Sequence, residues 1–383
     1  MKENPLLRLE NLGQSIWLDY LRRGEITSGE LKQLIDNIGI TGVTSNPTIF
    51  ERAIVGSHDY DAAIEALVLA DKSEAQIYQT LAIEDIQQAA DLLRPVYDRL
   101  DGRDGFVSLE VSPYLAHNVK ESLTAARRLW TAINRPNIFI KIPATSKGLR
   151  AVEQLVSEGI NINITLLFGI PRYRQVIEAY LAGLETRLAK GYPIDRVTSV
   201  ASFFLSRIDT LVDAQLEEKI KHSNQDVRLL ETLPGEVAIA SARVAYQIYK
   251  NIFSGERFNR LAQHGARPQR LLWASTSTKN PAYSDIKYVE ALIGADTINT
   301  LPKETLWAYR DHGHPAPRLE EDVARAKDIL CELPKIGIDM EVVTRQLENE
   351  GIEKFNQSFR RLMVILQKER AAMLQEPIAI DIK

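Results

Sequence analysis

The chain has 383 residues, 45% hydrophobic and 26% charged, with a formal charge of −4 and a pI near 6.0. That is ordinary for a globular protein with a full-sized core, and it lacks the broad positive footprint of a nucleic-acid binder. The one cysteine, Cys331, rules out an internal disulfide framework or a Cys/His metal cluster, and it fits a reducing, cytoplasmic compartment. The opening MKENPLLRLENLGQ lacks the apolar region of a secretory leader, and no run reaches the roughly 18 apolar residues of a membrane helix.

Length alone would suggest two or three domains, but a single α/β barrel commonly exceeds about 250 residues. Strand-like runs alternate with helical ones along the chain. SIWLDY (15–20) comes first. TSGELKQLIDNIG follows, with Thr27 three residues before Glu30 at capping-box spacing and Gly39 as a stop. ITGVTSN (40–46) is the second strand. SEAQIYQTLAIEDIQQAADLL opens with Ser73 and Gln76 at the same capping spacing and precedes GFVSLEVS (105–112) and NIFIKIPA (137–144). Thr145 or Ser146 caps the next helix, Gly159 ends it, and Lys147 is solvated near its start. INITLLF (162–168) leads to a helix with Pro171 in its first turn.

VTSVASFF (197–204) precedes an all-helical stretch over residues 205–265, and RLLWAST (270–276) and DTINTLP (296–302) complete the strands. DHGHPAP, holding His312 and His314, reads as a loop. Residues 318–374 read as a helical tail. Its stripe of Val342, Val343, Leu347, Ile352, Phe355, Phe359, Leu362 and Leu366 packs on the barrel, with a dimer contact or an active-site lid as the sharper reading. The basic pairs Arg127-Arg128 and Arg360-Arg361 read as solvated helix faces.

About eight strands alternating with helices imply a parallel sheet with right-handed crossovers, closed as a (β/α)8 barrel or open and doubly wound. The count favours the closed barrel, as does the lack of GxGxxG after a strand or of GxxxxGK[ST]. The expected organisation is a barrel over 1–317 with a helical insertion at about 205–265. An extension over 318–383 packs on it within the same domain.

A barrel's active face lies at the strand C-termini. Those positions give Asp19, Thr44, Ser45, Asn46, Glu110, Lys141, Asn163, Thr165, Ser202, Arg207, Ser275 through Lys279, and Asn299. Taken singly, each has a structural reading: Asp19 caps a helix, Asn46-Pro47 starts a turn, Glu110 neutralises Lys141. Taken together, they suit one chemistry. Desolvation favours the neutral amine of a lysine, which attacks a ketone to form a Schiff base, and the iminium is an electron sink for C–C cleavage. Carboxylates supply acid and base steps, amides and hydroxyls hold a polyol, and Arg207 and Lys279 hold a phosphate.

GVTSNPTIF, SLEVSPYL, IFIKIPAT, NINITLLF and SFFLSRID resemble the transaldolases in order and spacing, over roughly residues 10–310. The extra helical material resembles the longer subgroup of that family. The resemblance implies a TIM barrel of the class I aldolase kind. It also implies transfer of a dihydroxyacetone unit between sugar phosphates in the non-oxidative pentose phosphate pathway, without metal or organic cofactor. Lys141 then resembles the Schiff-base lysine, and Asp19 the group that takes the C4 hydroxyl proton. Glu110 resembles the carboxylate that moves protons with Thr165 and a water. Asn46, Asn163 and Ser202 resemble the holders of the dihydroxyacetone hydroxyls, with Thr44 supporting them, and Arg207 a phosphate-binding arginine.

Two departures stand out. In WASTSTKNP, Ser275 matches but no second arginine follows closely, so Lys279 takes its place; and ASFF stands where many members have a proline after the serine. The implied partners are sugar phosphates, with no nucleic acid and no membrane, and the implied assembly is a monomer or homodimer. The rival reading, a fructose-6-phosphate aldolase releasing free dihydroxyacetone, tends to carry glutamine at the position of Glu110 and tyrosine near Phe204. A non-catalytic sugar-phosphate-binding barrel would be expected to lack a catalytic group, and none is missing.

Overall fold

A computed structural model describes residues 4–222 and 228–375. Eight parallel strands close in sequence order: β1 (Gln14–Leu18), β2 (Gly42–Thr44), β3 (Phe106–Glu110), β4 (Ile138–Pro143), β5 (Ile162–Leu167), β6 (Ser199–Phe204), β7 (Arg270–Ala274) and β8 (Thr297–Leu301). Pairing of β8 with β1 removes every open edge. β2 through β6 are almost wholly buried, as strands covered on both faces must be. The closed barrel agrees with the strand count, although most strands are a few residues shorter than the sequence suggests.

Register fixes what meets at the mouth. Glu110 lies opposite Lys141, and Lys141 opposite Asn163. Side chains of alternate residues share a face, so Trp17, Phe106 and Phe139 lie one layer below Asp19, Ser108 and Lys141. Trp17 and Phe139 are 6.1 Å apart, Phe106 and Phe139 4.4 Å. The Trp17 indole donates to Asp104 at 2.7 Å. Gly42 makes room for it, since a Cβ there would lie 2.4 Å from the indole ring.

Local signals fared unevenly. Ser73 and Gln76 form a full capping box, Thr145 caps Ser146–Glu158 through the Gly148 amide, and Gly159 ends that helix at φ 89°. Thr27 caps nothing. It closes the short helix Arg23–Thr27 and donates back to the Arg23 carbonyl at 3.1 Å, because Gly29, at φ 83°, starts the next helix. Asn46 starts a helix, Pro47–Val55, and accepts from the Ile49 amide at 3.0 Å. His312 ends the helix Lys303–His312 instead of sitting in a loop, with Nε2 3.0 Å from Asp285.

Within residues 205–265 the described segments form the helices Ser206–His222, Arg228–Glu231, Val237–Phe253 and Glu256–Ala262. The tail contains Val323–Glu332, packed on Val237–Phe253, and the 36-residue helix Met340–Gln375. The long helix crosses Pro47–Val55, Asp61–Leu69, Glu74–Arg99 and Ser206–His222. Of its predicted apolar stripe only Val342 is exposed. Arg361 grips Glu51 through two bonds of 2.5 and 2.9 Å, and Thr48 meets Ser358 at 2.9 Å. Among the described residues no helix is long and apolar enough to cross a membrane.

Candidate active site

Lys141 is the fourth residue of β4 and is only 4% exposed. Its Nζ donates to the Ser45 carbonyl at 3.1 Å and lies 3.6 Å from Glu110 Oε2. Burial pushes the Glu110 carboxyl up to about 7, against the pull of the Lys141 ammonium. Both Glu110 oxygens and the buried Thr165 hydroxyl lack a hydrogen-bond partner. A buried polar group without a partner costs free energy.

Asp19, just past β1, is held by the Thr44 hydroxyl, which lies 2.8 Å from its Oδ1 and 2.7 Å from the Thr300 hydroxyl. Burial raises the Asp19 carboxyl, opposed by Lys141 and by the Thr44 bond. Ser202 donates to Asn163 Oδ1 at 2.6 Å, and Asn163 Nδ2 donates to the Ser108 hydroxyl at 3.1 Å. Asn163 is thereby committed to holding Ser202, beneath the surface of the mouth.

Above these groups opens a cavity of about 400 Å³. Of the predicted residues it is lined by Asp19, Thr44, Asn46, Lys141, Ser202, Arg207, Ser275, Ser277 and Lys279. Glu110, Asn163 and Thr165 sit behind Lys141, buried and off the cavity wall. Ser45 is also buried, its hydroxyl spent on the Ser108 carbonyl at 2.7 Å. Asn299 is absent from the wall. The pleat turns it to the barrel's outer side and brings Thr300 to the mouth instead.

Ser275 leaves β7 at φ 54°, a left-handed conformation unusual for a residue with a Cβ. Its carbonyl accepts from the Ser206 amide at 3.0 Å, and the two hydroxyls are 2.9 Å apart. This pins the loop carrying Lys279 to the start of the Arg207 helix. The same helix is anchored by Asp209, which accepts from Tyr288 and from the Ala238 amide at 2.8 and 2.7 Å.

Strand-end reasoning missed Arg52, Lys303, Glu304, Lys354 and Phe355, all on the cavity wall. Arg52 follows Asn46-Pro47 by little more than a helical turn, so a helix starting at that motif carries it toward the mouth. Lys354 lies some 200 residues from Lys141 and has no local signal. A separate cavity of about 240 Å³ at the opposite end of the barrel, lined by Gln14, Arg103, Asp104 and Arg270 among others, contains no lysine.

The chain's similarity to known proteins agrees with this geometry. The family model described as Transaldolase/Fructose-6-phosphate aldolase matches residues 16–365. A transaldolase of Trichodesmium erythraeum is 49% identical over 96% of this chain and 98% of its own length. A protein named transaldolase 2 from a Nostoc species is 50% identical with the same coverage. The transaldolase of Thiobacillus denitrificans is 44% identical over 93% of this chain and 97% of its own. With a family match over most of its length and relatives this similar, the chain belongs to the transaldolase/fructose-6-phosphate aldolase family.

Proposed function

We propose that this protein catalyses the transaldolase reaction, moving a dihydroxyacetone unit from sedoheptulose 7-phosphate or fructose 6-phosphate to glyceraldehyde 3-phosphate or erythrose 4-phosphate. The observation that carries this reading is a lysine buried at the mouth of a closed barrel, 3.6 Å from a carboxylate held near neutrality and beside a cavity large enough for a sugar phosphate. Barrel and terminal helix together are read as one folding unit.

Lys141 attacks C2 of the ketose. Glu110 and Thr165, the unpartnered groups behind it, pass the protons by which the carbinolamine loses water to become an iminium. Asp19 takes the proton of the C4 hydroxyl as C3–C4 breaks. The bond's electron pair moves toward the iminium nitrogen, leaving an enamine on Lys141 and a free aldose phosphate. A second aldose phosphate enters, C3 of the enamine attacks its aldehyde carbon, Asp19 returns the proton, and hydrolysis frees the new ketose phosphate. Thr44 orients Asp19, and Asn46 and Ser202, backed by Asn163, hold the dihydroxyacetone hydroxyls. Arg207, Ser275 and Lys279 form the phosphate end.

The test is acceptor dependence. With fructose 6-phosphate alone, free dihydroxyacetone should accumulate far more slowly than a new ketose phosphate forms once erythrose 4-phosphate is added. Equal release with and without acceptor would assign the protein to aldol cleavage instead. Lys141→Ala should lower turnover by at least about 10³-fold, as loss of a covalent nucleophile does.

A further inference from the structure

The mouth carries more positive charge than the chemistry at Lys141 uses. Of its cations, Lys141 faces Glu110, and Lys303 is held by Glu25 and Glu30 at 2.5 and 2.8 Å. Four others line the same wall: Arg52, Arg207, Lys279 and Lys354. Among the described residues none of the four has a carboxylate at ion-pair distance. Arg127, Arg135 and Arg257, elsewhere on the surface, are each paired with a carboxylate. Among the described residues only Asp19 and Glu304 put a carboxyl group on that wall.

Lys354 is the member that strand-end logic does not supply. Glu350 stands one turn before it, the usual partner for a helical lysine. That pair does not form. Glu350 instead accepts from Gln346 at 2.7 Å, and Lys354 lines the cavity. Burial, then Arg207, Lys279 and Arg52, lowers its proton affinity, which marks the four as near neighbours. The helix is brought close by Gly351, where a Cβ would lie 2.9 Å from a Leu166 methyl and 3.5 Å from Arg207 Nη1. Leu166 itself sits at φ 55° in a register shift of β5. Arg52 comes from Pro47–Val55, the helix clamped to the terminal helix by Glu51–Arg361 and Thr48–Ser358.

We propose that Lys354, together with Arg52, binds the phosphate group of the sugar substrate, so that the terminal helix is a wall of the substrate site as well as a packing element. Where Lys279 offers a point charge in place of a planar fork, two further cations make up the electrostatic attraction. The sugar portion of this assignment rests on the proposed reaction; the anion portion does not.

The experiment titrates inorganic phosphate calorimetrically into wild type, Lys354→Ala, Lys354→Arg and the double variant Arg52→Ala/Lys354→Ala, alongside kinetics with fructose 6-phosphate and fructose. Lys354→Ala should weaken phosphate about tenfold and raise KM for fructose 6-phosphate by a similar factor, with little change in kcat. Lys354→Arg should recover most of both, and the double variant should be weaker still. Lys354 is exposed on its helix, so equal melting temperatures are expected. An unchanged phosphate affinity in Lys354→Ala overturns the proposal, as does an equal loss with fructose, which would mark a merely structural effect. Phosphate binding requires no turnover. Lys354-dependent binding without dihydroxyacetone transfer would therefore remove the proposed reaction and leave the anion site standing, whereas transfer with Lys354-independent binding would remove only this inference.

Discussion

Glu110 shows how one residue's surroundings decide its chemistry. A carboxylate beside a lysine should lose its proton easily, but burial outweighs the attraction and holds the group at about 7 instead of its ordinary 4.5. Two consequences follow. An ionisation near pH 7 should shape kcat/KM, and Glu110→Gln should abolish that limb while lowering kcat by about 10²- to 10⁴-fold, as removal of a general acid–base does. The second consequence concerns stability. Between about 4.5 and 7 the folded state keeps a proton the unfolded chain has released, so wild type loses stability as pH rises through that window. Glutamine does not titrate. Urea unfolding at pH 5 and pH 8 should show Glu110→Gln gaining relative to wild type by on the order of 3 kcal/mol, at about 1.4 kcal/mol per unit. Parallel behaviour at the two pH values would mean that Glu110 ionises normally.

At the scale of elements, β1 through β4 share one aromatic layer beneath the mouth. Gly42 is required there for space, not for backbone freedom, since the Trp17 ring occupies the position of its missing Cβ. Gly42→Ala should destabilise the fold by about 1–3 kcal/mol or more, typical of overpacking a rigid core, and lower the melting temperature; a neutral result would show that Trp17 can move. These elements also show what the sequence could reveal. Strand ends located Asp19, Thr44, Asn46, Lys141, Ser202 and Ser275 correctly on one cavity, because polar residues stand out at the end of an apolar run. Parity at β8 misled: Asn299 looked functional and Thr300 did not, because a one-residue uncertainty in strand phase exchanges the two faces. Lys354 is invisible for another reason. A charged residue on an amphipathic helix looks solvated until the tertiary structure turns it toward a cavity.

For the whole molecule, composition and local charge point in different directions. The chain is net acidic at −4, yet four cations without carboxylate partners gather at the one opening that holds the buried lysine. That segregation suits anionic substrates and comes from assembling distant segments: the helix after β2, the start of the helix after β6, the loop after β7 and the terminal helix. The barrel's closure and the convergence of Lys141, Glu110, Thr165 and Asp19 depend on the same assembly. The most direct test is to incubate the protein with fructose 6-phosphate, reduce with borohydride and map the modified peptide by mass spectrometry. The Schiff-base mechanism predicts a single reduced dihydroxyacetone adduct on Lys141, diminished in Asp19→Asn because C3–C4 cleavage stalls. No adduct, or an adduct on Lys279, Lys303 or Lys354, would contradict it.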